Sequence, residues 1–164
     1  MCKSSAQLGS GFLLYIIIIV ILTAIDQITK IYMRSAAGGV EAFSIPVIGD
    51  FFHLTYVENR GAAFGILSGK TTLFLVVTVL AIVLLVGYAR SQRNNSRAGF
   101  LNILVTLIIA GAVGNLIDRS VYGFVTDMID FRGLWKFVFN VADCYVVCGT
   151  AALIFYILKF DNDK

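Results

Sequence analysis

The chain is short of charge, of proline and of the residues that most enzymes use for nucleophilic or metal chemistry. Only 14% of its 164 residues are charged, against about 25% in an ordinary soluble domain. That shortage argues against a conventional soluble globular protein. Thirteen basic and ten acidic residues leave a net charge of +3. The excess is scattered, so there is no basic stripe for nucleic acid. The one histidine, His53, has no cysteine or acid arranged around it in sequence, and HExxH is absent, which speaks against a zinc protease. The serines lie in polar loops without a GxSxG elbow, and this removes an α/β-hydrolase nucleophile. Three cysteines are an odd number and suggest no disulfide framework. Cys144 and Cys148, one helical turn apart in apolar sequence, are expected as small buried hydrophobes. Cys2 is expected as a plain cytosolic thiol rather than a lipidated cysteine. The single proline, Pro46, fits a turn before a strand.

What the chain has instead is apolar sequence: 59% hydrophobic residues and a mean hydropathy of +0.87. Four runs are long enough to cross a hydrocarbon core of about 30 Å. They place spans at about 8–27, 70–89, 98–117 and 138–159, with outer loops at 28–69 and 118–137, in one membrane-embedded domain. The first run is followed by DQITKIYM and no small-residue cleavage site, so it is read as a retained span and not a cleaved leader. The short loop RSQRNNSR carries three arginines and no acid, and Lys3, Lys159 and Lys164 lie on its side. Weighting short loops by their basic residues puts both termini in the cytoplasm. FFHLTYV, residues 51–57, reads as a strand. The apolar, small-residue run GAAFGIL, residues 61–67, lies in the same outer loop. A short sheet and an amphipathic helical piece resting on the bilayer surface are therefore expected there.

The acids are placed unevenly. Asp118, Asp127, Asp130 and Asp143 put four of the ten acidic residues within 26 positions of a greasy chain. Asp143, near the outer start of the fourth span, costs several kcal/mol in hydrocarbon unless it faces the bundle interior and has a partner. An N-terminal helix cap is the plainer reading. Asp127, 16 residues earlier, is the natural partner, because the segment between them can fold back and bring the two to one depth. Two carboxylates at one site share a proton, so one serves as base and the other as acid toward a water attacking an amide. Asp118 and Arg119 read as anchors at the end of the third span, and Asp130 reads as solvated. Asp26 and Lys30 form an i,i+4 pair with a structural role. Asn59 could donate to a peptide carbonyl. Gly111 and Gly114 thin the third span for helix packing. A hard-cation site among the four aspartates lacks EF-hand spacing.

DQITK at 26–30, VENRGAAFG at 57–65, GAVGNLIDR at 111–119, GFVTDMIDF at 123–131 and FNVAD at 139–143 together resemble the lipoprotein signal peptidases, the signal peptidase II family. Their order and spacing match over nearly the whole chain. The resemblance implies a mainly α membrane protein with four transmembrane helices, a small extracytoplasmic sheet that cradles a lipidated peptide, and an amphipathic helix over the site. It implies a bacterial inner-membrane aspartyl endopeptidase. Its substrates would be prolipoproteins carrying a diacylglyceryl group, cut just before the modified cysteine. The catalytic pair maps to Asp127 and Asp143, the pair that charge placement suggests. The supporting polar positions map to Asp26, Lys30, Asn59, Asn115, Asp118, Arg119 and Asn140, with Asn59 and Arg119 holding the substrate or the loops around it. Ala112 stands where a second glycine is usual, and Cys144 where a small hydroxyl residue is commoner.

No metal or other cofactor is implied. The partners expected are the lipidated precursor and membrane phospholipid, with one chain sufficient for the site. Two other readings stay open. A small proton- or cation-coupled transporter would line a path across the membrane with its acids, whereas here they gather toward one side. A non-catalytic assembly subunit would use its polar residues for packing alone.

Overall fold

A computed structural model describes residues 5–61 and 71–160. Its elements run α1 (Ser5–Ala37), β1 (Ser44–Ile48), β2 (Phe52–Asn59), α2 (Thr71–Ser91), α3 (Ala98–Tyr122), β3 (Val125–Phe131) and α4 (Val141–Phe160). All four helices are long and apolar enough to cross a membrane. Among the described residues the chain is thus a four-helix membrane protein with one small sheet.

α3 is the central helix. Half of its apolar window is buried, against none of that of α2. It packs along α4 through Leu101, Leu104, Val105 and Ile108 against Leu153 and Tyr156. Many other large apolar side chains of α1, α2 and α4 stay exposed, Ile28, Leu84 and Leu158 among them. Their surroundings in a bilayer would be acyl chains as apolar as themselves. Small residues set the closest approaches. A Cβ on Gly111 would run into the carbonyl oxygen of Ala142, and one on Gly114 into the Asp26 carboxylate. The helix-packing role expected of these glycines is therefore met at specific atoms.

α1 does not stop where its apolar run does. It continues to Ala37 and ends at Gly38 and Gly39, both in the left-handed region at φ 56° and 84°. The extra turns carry Lys30, which finds an acceptor on α3, and Arg34, which finds one on α3 and one on β3. That is why a helix can carry charge past the end of its greasy stretch.

The sheet joins the α1–α2 segment to the α3–α4 segment. Its order is β1-β2-β3, antiparallel throughout. β2 begins one residue into the expected strand, at Phe52, and runs on to Asn59. Pro46 is not in the turn before that strand, as expected; it lies inside β1, on the sheet edge, beside a register shift. An edge strand tolerates a residue without an N–H, and the turn itself falls at Gly49, whose φ is 47°. β3 pairs Asp127 with Val57 and Val125 with Asn59. The amphipathic helix expected on the bilayer surface falls on 61–67, of which 62–67 lie outside the described residues.

Candidate functional site

Two pairings bring the site together. The β2–β3 ladder sets Asn59 beside Asp127. Beyond β3, Phe139 bridges back to Ile129, exchanging N–H···O bonds of 2.7 and 3.1 Å with it. Asn140, the next residue, therefore arrives against Asp127 just as α4 begins.

Asp127 accepts hydrogen bonds from Asn59 Nδ2 at 2.9 Å and from Asn140 Nδ2 at 2.6 Å. Asp143 accepts from Asn115 Nδ2 at 2.8 Å and from the Asn140 backbone N–H at 3.2 Å. In return the Asp143 N–H donates to Asn140 Oδ1 at 2.9 Å. This reciprocal pair is a capping box at the start of α4. The cap reading of Asp143 thus holds, and it leaves the carboxylate facing the cavity. Asn140 also donates to Asn115 Oδ1 at 3.2 Å, so a single amide links Asp127 to the residue that donates to Asp143.

A cavity of about 1070 Å³ is lined by Asp127 and Asp143 together with Asn59, Asn115 and Arg119. Much of its remaining lining is apolar, with Leu134, Trp135, Phe137, Val138 and Phe139 before α4 and Val146 and Val147 on it, and Lys136 is the one charge in that stretch. Burial pushes the Asp127 carboxyl up to about 7, and the charge of Asp143 adds to the rise. The Asn59 and Asn140 hydrogen bonds and the Lys30 charge oppose it. Arg119 Nη2 donates to the Gly61 carbonyl at 3.4 Å, and its guanidinium lies over Phe74. It links Gly61, just past β2, to α2 beside the cavity.

Beneath the two acids lies a buried ionic layer. Lys30 Nζ donates to Asn115 Oδ1 at 2.9 Å and forms ion pairs with Asp26 at 2.9 Å and Asp118 at 3.5 Å. Lys30, Asp26 and Asp118 have no solvent exposure. Asp26 accepts the Ala142 N–H of α4 at 2.9 Å, and Asp118 accepts the Thr126 N–H of β3 at 2.9 Å. Each buried acid therefore holds the residue just before one of the cavity aspartates. The Asp26–Lys30 pair forms as expected; Asp118 is more than a helix-end anchor, because it grips β3.

Two participants, Arg34 and Gln27, are not among the site residues expected from the sequence. Arg34 donates to Thr126 Oγ1 at 2.7 Å and stacks on Tyr122. Gln27 reaches the Gly114 carbonyl at 3.0 Å. A signal was present: Thr23, Asp26, Gln27, Lys30 and Arg34 recur at helical spacing along one face of α1. Other expectations are corrected. Asp130 is not simply solvated, since it accepts from Thr55 Oγ1 and from Arg132. His53 does acquire polar neighbours, with Ser44 Oγ 3.1 Å from its Nδ1 and Asp130 opposite it across the ladder. Cys144 is half-buried and Cys148 exposed, and both line the cavity instead of filling the core.

Residues 18–159 match the family model described as signal peptidase (SPase) II. The chain is 45% identical over 150 residues to the lipoprotein signal peptidase of Clostridioides difficile, covering 92% of this chain and 98% of that one. It is 41% identical over 165 residues to that of Fusobacterium nucleatum, covering 100% and 96%. A solved bacterial membrane enzyme structure superposes with a TM-score of 0.77 at 35% identity, over 92% of this chain and 91% of that chain.

Proposed function

We propose, from the premise that this chain belongs to the signal peptidase II family, that it is an aspartyl endopeptidase of the bacterial inner membrane. It cleaves the signal peptide from diacylglyceryl-modified prolipoproteins just before the lipidated cysteine. The observation that carries this reading is the placement of Asp127 and Asp143 in one cavity, each held by asparagine amides.

Asp127 keeps its proton to about pH 7. It is the group that can protonate the leaving amine or polarise the scissile carbonyl. Asp143 sits at the positive end of α4 and receives two N–H donors. It is the anion that takes a proton from water. The water adds to the amide carbonyl, and the tetrahedral intermediate collapses as the amine leaves protonated. The apolar side chains of Leu134, Trp135, Phe137, Val138, Phe139, Val146 and Val147 in the lining suit a substrate that carries acyl chains. Both termini lie in the cytoplasm, the cavity opens near the outer face, and one chain builds the site.

The test is cleavage of a diacylglyceryl-modified prolipoprotein by purified protein in detergent containing EDTA, with the unmodified precursor beside it. Cutting of the lipidated precursor alone is expected. Loss of activity in EDTA that added metal restores would replace the acid pair with a metal centre. Equal cutting of both precursors would remove the lipid requirement.

The assignment of acid and base has its own check. Asn59 stabilises the charged form of Asp127, so Asn59→Ala makes that carboxyl hold its proton to higher pH. If Asp127 works protonated, the alkaline limb of the kcat/KM profile moves up in pH. If Asp127 were the base, the acid limb would move instead. Activity in this variant should fall less than in either aspartate variant.

A further inference from the structure

The two α4 cysteines are not used by this mechanism, and they face the same cavity as the acids. At 100° per residue, Cys144 and Cys148 point away from the buried stripe of Ala142, Gly149, Leu153 and Tyr156. Both line the cavity, and both are free thiols. They sit one and five residues beyond Asp143, so Cys148 lies about 7.5 Å below that carboxylate along the helix.

We propose that Cys144 and Cys148 form a two-thiolate site for a soft, two-coordinate metal cation of the Hg2+ class, and that filling it blocks the cavity. The blockade rests on the peptidase reading; the site itself does not.

The geometry suits two-coordination. Side chains at i and i+4 have Cβ atoms about 5–6 Å apart on one helix face. Two metal–thiolate bonds of about 2.3 Å in line span about 4.6 Å. Thiolates select soft cations. The apolar wall around them favours a neutral product over a charged one. Two S–H bonds break, two Hg–S bonds form and two protons leave, so the divalent ion and two thiolates end with no net charge. Alkylation is the weaker chemistry here. It waits for a thiolate, which apolar surroundings suppress, whereas a soft metal displaces the thiol protons as it binds. Once bound, the metal would occupy the wall next to Asp143, where the scissile peptide must lie.

The experiment is a titration of the full chain carrying Cys2→Ser, in detergent, with HgCl2. It follows near-ultraviolet thiolate-to-metal absorbance, proton release and cleavage of the lipidated precursor. One metal per chain and two protons per metal are expected. Cys144→Ser and Cys148→Ser should each lower the affinity at least 100-fold, and cleavage should fall in proportion to occupancy. Two metals per chain, one on each thiol, would overturn the paired site. So would unchanged affinity in either serine variant. Full occupancy with undiminished cleavage would overturn the blockade. A metal-free protein that cleaves nothing refutes the peptidase reading and the blockade with it, while the stoichiometry still decides the thiol site.

Discussion

Asp127→Asn and Asp143→Asn should each abolish cleavage of the lipidated precursor while leaving an inserted, folded protein. An asparagine keeps the shape but can neither give nor take the proton. Losing one proton-transfer group costs roughly 10²–10⁴-fold, and the two acids act as a unit, so the double variant should be little worse than either single one. Normal turnover by either variant would end the two-carboxylate mechanism. Folding can be scored in the same samples through pH. The folded Asp127 carboxyl titrates at about 7, above its ordinary value of 3.8. Between those values the folded state binds more protons than the unfolded one, so Asp127 makes stability fall as pH rises from about 4 to about 7. Asp127→Asn removes that contribution, and its melting temperature should depend less on pH across this window. A variant that is inactive and also keeps the full wild-type slope would mean that Asp127 is not the group titrating there.

Asp143 and Asp127 stood out in the sequence because charge in a greasy chain is costly and must be answered by a partner. The four spans stood out for the same reason in reverse, as long runs with nothing polar to satisfy. What was not legible depends on pairings between distant segments. β3 reads as a loop until β2 is laid beside it, and Asn59 and Val125 meet from opposite ends of the chain's middle. Asn59 could be read as a free donor for substrate, yet its amide nitrogen goes to Asp127 and its oxygen to the Gly61 N–H. Cys144 and Cys148 read as core residues because, Asp143 apart, the sequence around them is largely apolar. In a helix with lipid or a cavity on one side, apolar neighbours no longer say which face is inside. Arg34 carries no mark in the sequence because it lies beyond the first apolar run. The sequence there shows a charge after a span, and only the fold shows Thr126 and Asp118 waiting for it.

The buried ionic layer explains why so much polarity is kept away from the chemistry. Asp26 holds Ala142 and Asp118 holds Thr126, the residues immediately before Asp143 and Asp127. Lys30 ties both to Asn115, which in turn donates to Asp143. Position at the cavity is thus transmitted from α1 through one ammonium.

Lys30→Met should therefore be among the most damaging changes outside the cavity. It leaves Asp26 and Asp118 without solvent and without their shared cation. Breaking a buried ion pair by removing one partner costs about 3–5 kcal/mol. Arg34 and Gln27 still reach Asp118, and Gln27 still reaches Asp26, which places the loss toward the lower end of that range. The companion experiment adds Asp26→Asn to Lys30→Met. Removing the stranded charge should recover part of the lost stability, so the two changes together cost less than their sum. The Ala142 N–H keeps an acceptor in that double variant, and α4 should start at the same place. A Lys30→Met protein that melts with the wild type, or a double variant whose costs simply add, would show that the layer does not work as a coupled unit and that the two aspartates are positioned by β3 and the α4 cap alone.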